Sequence, residues 1–501
     1  MAFANNRIAA AILVVLSTSA LIWFGNGLDP WWPLFWFAPL PVLVFALRSS
    51  WRATALAAFL SMLLGSLNMW HYFQVLEAPA YVWFIVYVAM GLLWTGAVLL
   101  FRTLAMRGAA WSALLAFPAT WVAGEFLRNF ATPHGTAGSL AYTQLKFLPF
   151  LQLASITGPW GMSFVLLLFP AALAIAWHLR KSAPRQTSRI ASASLIVVAL
   201  VLTFGLVRLG KPEHSQKVTV GLIASDTPAN LRQAKEGAAT EHLFRGYAAA
   251  AEQLAARGAQ VIVIPEKTGT IVDPTAGPSD AVLQSIADKT GSTIIAGVDH
   301  KAASAHYNEA RIYQSKLSVL SYDKHHLLPP FEDIFKPGTT ITLLNRPSAT
   351  SSAIWGVAIC KDMDFTQLSR EYGNAGAGLL LDPGWDFNVD RSWHGHIAIM
   401  RGVESGFSIA HAAKNGYLTV TDDRGRIVAE TRSDSAGFAT LLATVPDQHD
   451  TTLYLLLGDW FAWLSIAIFG WALIQRIRLR NQALQAIDYC RTPVAAYGSS
   501  R

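Results

Sequence analysis

The sequence predicts a polytopic α-helical membrane domain joined to an α/β domain of stacked layers. Three observations predict this. The chain is 53% apolar and only 14% charged, against about 45–50% and about 25% in soluble domains. The excess of apolar residues is concentrated in the first 210 positions, with one more block near the C-terminus. Between them, residues 213–450 have ordinary soluble composition and alternate strand-like with helix-like patterns. The length of 501 residues accommodates two or three domains.

About seven apolar blocks read as membrane spans before the soluble region: 8–25, 33–47, 53–68, 80–101, 108–125, 158–178 and 190–207. An eighth follows near 453–475. A bilayer core of about 30 Å requires about 20 apolar residues in a helix, and the second and third blocks are short for it. The first block lacks a small-residue cleavage site and is read as retained rather than as a signal peptide. The expected division is therefore a membrane domain over 1–212, an extramembrane domain over 213–450, a last span over 451–477 and a basic tail over 478–501.

Loop charge sets the orientation. Arg48 and Arg52, Arg102 and Arg107, Arg180, Lys181, Arg185 and Arg189, and Arg476, Arg478 and Arg480 fall in one set of connections. The alternate connections near Asn26–Pro30 and Asn68–Ala80 hold no Lys or Arg. The first set is expected on the cytoplasmic side, which puts 213–450 outside. These anchors account for most of the net charge of +7 and give no reason to invoke nucleic acid. The two cysteines, Cys360 and Cys490, are then on opposite sides and do not pair.

In the extramembrane region, 217–225, 259–266, 292–298, 353–360 and 376–382 read as buried strands, with helices near 236–258, 279–289 and 392–406. The stretches YNEARIYQ and KLSVLSYD read as a hairpin, and short strands close the domain. Repeated β–α–β units give a layered α/β fold, and such folds place chemistry at strand ends. Glu266 ends one strand and Cys360 another, and the proline-interrupted loop YDKHHLLPPFEDIFKPG carries Lys324 and Glu332.

On local evidence Cys360 reads first as a small buried residue, because unpaired cysteines usually pack, and only second as a nucleophile. A thiol near pKa 8.5 becomes an effective nucleophile when a base takes its proton or a cation stabilises its thiolate. A carboxylate is such a base, and a lysine ammonium stabilises both the thiolate and a developing oxyanion. Cys, Glu and Lys together therefore suffice for acyl transfer through a thioester. Each also has a plain reading: a solvated strand-end Glu, a surface Lys, a core Cys.

The segments IPE, YNEARIY, YDKHHLLPPFE and GVAICKD occur in that order and resemble the signatures of the nitrilase superfamily. That resemblance implies an αββα sandwich with a Glu–Lys–Cys triad at Glu266, Lys324 and Cys360, and a second glutamate at Glu332. A nitrilase-like domain set between seven spans and one resembles the membrane-embedded branch of that superfamily, the apolipoprotein N-acyltransferases. WVAGEFLR (121–128) and YTQLKFLPFLQLASITGPWGMSFVL (142–166) are similar to that branch as well. The resemblance implies an N-acyltransferase of the bacterial inner membrane with its catalytic domain on the periplasmic side. Cys360 would take an acyl chain from a phospholipid donor and pass it to the α-amine of a lipid-bearing N-terminal cysteine on a lipoprotein acceptor. It implies no metal and no cofactor, and substrate contacts at Lys361, Asp362, Trp385 and Asn308.

The chain departs from the branch where Lys361–Asp362 replaces Tyr-Glu, where PGWDFNVD (383–390) replaces Asn-Asp-Ala-Trp, and over 401–416. Two alternatives stay open on these grounds: an acyltransferase with a different amine acceptor, and a membrane-anchored amidase of the nitrilase type that hydrolyses a C–N bond. A non-enzymatic membrane scaffold or transporter is a third class, against which all triad residue types stand in order. Glu125 and Arg128 are expected at a span end facing an interface. His394 and His396 are two apart on a helix and project to different faces, so they read as a solvated helix start rather than a metal pair.

Overall fold

A computed structural model of the chain describes residues 2–212, 216–346 and 353–491. The expected boundary at 212/213 and the tail from 492 onward abut or lie in segments outside these residues. Among the described residues, six helices are long and apolar enough to cross a membrane: Arg7–Gly25, Trp51–Val75, Ala80–Met106, Ala154–Leu179, Pro184–Gly210 and Trp460–Gln485.

Two predicted spans take other forms. The block at 33–47 is a pair of short helices, Trp32–Phe35 and Leu40–Ala46. Pro33, Pro39 and Pro41 interrupt it, since proline lacks the N–H that a continuous helix uses. The block at 108–125 is the 22-residue helix Ala110–Ala131. It sits in the interior of the bundle against the Ala80–Met106, Ala154–Leu179 and Trp460–Arg491 helices, so protein and not lipid surrounds its polar residues. The expectation that Glu125 faces an interface is corrected accordingly. Glu125 is buried and accepts the Leu140 N–H at 2.8 Å and the Ser139 hydroxyl at 3.2 Å, while Arg128 donates to the Ala137 carbonyl at 2.7 Å.

The last span starts later than predicted. Leu453–Leu457 is a separate short helix ended by Gly458 at φ +61°, and the long helix runs over Trp460–Arg491. Residues 478–491 extend that helix instead of forming a separate tail. The basic ends of the helices gather together: Arg102 donates to Ser49 O at 2.8 Å and Arg107 to Arg476 O at 2.9 Å. The opposite end of the bundle holds the Lys146–Asp29 pair and receives the α/β domain.

That domain contains two six-stranded sheets. One has the order β12-β1-β2-β3-β4-β5, built from Ala439–Pro446, Lys217–Ala224, Val261–Val272, Thr293–Lys301, His306–Tyr313 and Leu320–Asp323. The other has the order β11-β10-β9-β8-β7-β6, from Ile427–Arg432, Tyr417–Thr421, Ser408–Lys414, Ala377–Trp385, Ile354–Val357 and Thr342–Asn345. The alternating pleat sends side chains to both faces. Val218, Val220, Leu222 and Val263 of the first sheet meet Leu379, Leu381, Ala410 and Val420 of the second in one core. On the outer faces, Ile262, Ile264 and Ile294 pack under the Ala238–Ala256 and Gly277–Thr290 helices, and Leu380 and Ile409 under Thr366–Asn374 and Trp393–Ser405. The layers therefore run helix, sheet, sheet, helix, as the family resemblance implies. The predicted hairpin is present as antiparallel β4 and β5.

Candidate active site

Glu266 stands in β2 where the pairing with β3 slips between Ile264 and Gly269, and Lys267 beside it has φ +45°. The slip turns the carboxylate out of the ladder. Gly297 of β3 makes room for it: a Cβ there would lie 2.4 Å from the Glu266 Cα and 2.5 Å from the Pro265 carbonyl oxygen. Lys324 directly follows β5, and its backbone N–H bonds Asn308 O at 2.9 Å. Its ammonium lies 2.8 Å from Glu266 Oε1 and 2.9 Å from Glu332 Oε2. Asn308 donates to both carboxylates, at 2.5 Å to Glu266 and 2.6 Å to Glu332, and Lys267 pairs with Glu332 at 2.8 Å. All are buried except Lys267, which is partly so.

Cys360 follows β7 at the head of a short turn and has φ +46°. For a residue with a Cβ this left-handed conformation costs of order 1–3 kcal/mol and is held by its surroundings. Asp382 of β8 supplies the hold by accepting the Cys360 N–H at 2.6 Å. His411 of β9 bonds the other Asp382 oxygen at 2.7 Å. Burial pushes the Cys360 thiol well above its ordinary range; Glu266 raises it further and Lys324 opposes. The resting thiol is therefore protonated and needs a base. Burial alone would lower Lys324, but Glu266, Glu332 and Cys360 outweigh it and hold the ammonium charged. Glu332 is likewise pushed up by burial and pulled down further by Lys324 and Lys267, so it stays ionised.

Residues 10–172 match the apolipoprotein N-acyltransferase N-terminal domain, and residues 223–450 match the carbon-nitrogen hydrolase domain. The chain is a divergent member of the apolipoprotein N-acyltransferase family. An apolipoprotein N-acyltransferase of Geobacter metallireducens is 27% identical over 74% of this chain and 75% of its own. One from Shewanella oneidensis is 25% identical over 89% of this chain and 88% of its own. Among solved structures, an amidase from Nesterenkonia sp. aligns with 49% of this chain and 95% of its own at 22% identity, with a TM-score of 0.40. The chain is thus an acyltransferase of multi-pass membrane architecture.

The structure separates the remaining sequence-derived positions of this acyltransferase. Asn308 joins the two glutamates. Trp385 lies beside Cys360, its carbonyl oxygen 4.0 Å from Sγ. Asp362 does not reach toward a substrate: it is fully buried and accepts from the Tyr322 hydroxyl at 2.8 Å, Ile359 N at 3.1 Å and His326 N at 2.9 Å. It clamps the Lys324 loop to the Cys360 turn. The Lys361 side chain turns toward the membrane domain, 3.4 Å from Asp364 and 3.4 Å from His134 Nδ1. Burial and the Lys361 charge lower His134 to about 4, so the imidazole is neutral beside the ammonium. Thr136 completes this joint, donating through N–H at 2.9 Å and hydroxyl at 2.6 Å to Asp364 O.

Several site residues were not legible in the sequence. Lys414 of β9 is fully buried, 3.5 Å above the Trp385 ring, and donates to Lys267 O at 3.1 Å. Burial, reinforced by the Lys267 charge, brings it down to about 7. His411 is opposed by burial but raised to about 10 by Asp382 and Asp386. Tyr72, from the membrane domain, comes within electrostatic reach of Cys360, Asp364, Asp386 and Asp390. The expected solvated helix start is corrected too: His394 is largely buried, 3.3 Å from Asp390, and that carboxylate raises it to about 9 against the cost of burial. His411, Lys414 and Tyr72 lie in stretches with no spacing signal, and only the packing of β9 beside β8 and of the membrane domain below them reveals their role.

Proposed function

We propose that the chain transfers an acyl chain from a phospholipid, through a Cys360 thioester, to the N-terminal α-amine of a lipid-bearing cysteine on a lipoprotein. The observation that carries this reading is the Lys324 ammonium held between Glu266 and Glu332, acting on a buried, strained Cys360 at the face where the α/β domain meets the membrane helices. Glu266 takes the thiol proton as Sγ attacks the ester carbonyl. Lys324, with the Lys361 N–H, stabilises the oxyanion. That N–H meets no acceptor among the described residues, whereas the Cys360 N–H is committed to Asp382. The C–O bond breaks, Glu266 returns the proton to the departing glycerol oxygen, and a lysophospholipid leaves.

In the second half the amine nitrogen attacks the thioester, Glu266 removes its proton, and the C–S bond breaks to restore the thiol. Glu332 holds Lys324 in place through both halves. Membrane spans suit this chemistry because both substrates keep their chains in the bilayer. The basic helix ends are read as cytoplasmic, which puts the catalytic domain on the periplasmic side of the inner membrane. The matched relatives, named as apolipoprotein N-acyltransferases, support the acceptor class.

The test is intact-mass spectrometry of the purified protein after incubation with one defined phospholipid, with Cys360→Ala in parallel. The expected result is a hydroxylamine-labile gain of one acyl mass that needs Cys360, with lysophospholipid in equal amount. A lipopeptide bearing a free α-amine then discharges it. Free fatty acid as the sole product would replace transfer with hydrolysis, and no adduct together with no lysophospholipid would remove the thioester reading.

A further inference from the structure

We propose that the end of the helical bundle remote from the α/β domain binds the phosphodiester headgroup of an anionic glycerophospholipid. Arg102 and Arg107, at the end of the Ala80–Met106 helix, and Arg476 and Arg480, on the last helix, line one cavity of about 410 Å³ together with Trp51 and Leu99. Arg102 is fixed by two bonds to Ser49 O, at 3.2 and 2.8 Å, and Arg107 by its bond to Arg476 O at 2.9 Å. None of the four has a carboxylate partner among the described residues. The only acidic residues in 1–212 are Asp29, Glu77 and Glu125. Two of these have partners at the other end of the bundle, Asp29 with Lys146 and Glu125 with Leu140 N.

Membrane orientation needs positive charge on one side but does not require it to converge. Arg48 and Arg180 satisfy that need differently, lying 5.9 and 3.9 Å from the Trp177 ring. Four guanidinium groups around one concavity repel one another until an anion enters, and the planar fork of arginine suits phosphate oxygens. Basic pockets between membrane helices bind lipid headgroups on this ground. The mouth selects a lipid over a free anion: Trp51 and Ile477 are more than half exposed beside the arginines, on helices that face the bilayer, and offer apolar contact to glycerol and acyl chains. The site is distinct from the reaction centre. Trp460 starts the last helix beside the α/β domain, and Arg476 follows sixteen residues later, about 24 Å along the axis.

The test uses the full chain in neutral detergent, with phosphatidylglycerol, phosphatidylcholine and inorganic phosphate as probes. Native mass spectrometry reads bound lipid and thermal unfolding reads stabilisation. Phosphatidylglycerol is expected to be retained and to raise the melting temperature, and the other two are not. R476Q/R480Q is expected to bind it roughly thirty-fold weaker, the loss of two interfacial arginines. The milder R480Q is expected to lose roughly five-fold by the same reasoning. R180Q/K181Q, which removes equal charge from the same side, is expected to bind as the parent does. Acyl transfer is expected to be unchanged in all three. Equal retention of the two lipids, or full affinity in R480Q or R476Q/R480Q, would overturn the proposal. An effect of inorganic phosphate equal to that of phosphatidylglycerol would make this a free-anion site and overturn the lipid assignment.

Discussion

Asp382 Oδ1 accepts the backbone N–H of Cys360 at 2.6 Å, and the same carboxylate is held from behind by His411 at 2.7 Å. The left-handed backbone of Cys360 therefore depends on a buried ion pair in the neighbouring strands. Asp382→Ala leaves a buried N–H without an acceptor, a loss of about 1–3 kcal/mol, and frees Cys360 from its φ. The expected outcome is a lower melting temperature together with slower acylation by the phospholipid. Asp382→Asn keeps an acceptor and is expected to recover much of the stability. An acylation rate in Asp382→Ala equal to the parent's would show that the turn is held by other contacts.

Cys360→Ala is expected to abolish the acyl adduct, and Glu266→Gln to reduce turnover by about 10²–10⁴-fold, the range for loss of a general base. Both variants are expected to insert in the membrane normally, because both residues belong to the α/β domain and lie outside the membrane-spanning helices. Lysophospholipid release measured on purified protein checks both. Parent-like turnover in either would remove the proposed chemistry.

Gly297→Ala tests the slot that admits Glu266. The new Cβ would fall 2.4 Å from the Glu266 Cα, so backbone and not a flexible side chain would have to move. A stability loss of about 1–3 kcal/mol is expected from overpacking. The loss of acyl transfer should be larger than global destabilisation explains, and measuring turnover well below the melting temperature separates the two.

Lys414 gives a pH signature. Its folded pKa of about 7 lies below the ordinary lysine value of 10.5, so the unfolded chain binds the extra proton between those values. Stability from this group therefore rises with pH from about 7 toward 10.5. Lys414→Met removes it. The parent's melting temperature, relative to that variant, should increase as pH rises from 7 to 10. A constant difference across that range would mean that Lys414 is not held neutral by burial.

Asn308 keeps Glu266 and Glu332 together by donating to both. Asn308→Ala leaves two buried carboxylates to share Lys324 with one donor fewer. Turnover is expected to fall by at least about tenfold, since one hydrogen bond to a charged group contributes about 1.5–3 kcal/mol. Asn308→Asp, which adds a third carboxylate, is expected to be worse. The ratio of the two rates distinguishes a hydrogen-bonding role from simple packing.

The sequence by itself determined much of this protein. Apolar blocks located the membrane helices, strand-like runs located most of the sheet, and Glu266, Lys324, Glu332 and Cys360 stood out because the segments that carry them resemble, in order, the nitrilase signatures; their residue types alone did not single them out. Those signals are local: each is set by the composition of its own segment. Tertiary structure decided the rest. The Ala110–Ala131 helix is interior because its neighbours enclose it, which its own hydropathy does not encode. Lys361 and Asp362 follow Cys360 directly, yet Asp362 locks the Lys324 loop and Lys361 faces His134 of the membrane domain. His411, Lys414 and Tyr72 reach the site from segments up to several hundred residues apart, because side-chain contact depends on which strands and helices the fold sets side by side.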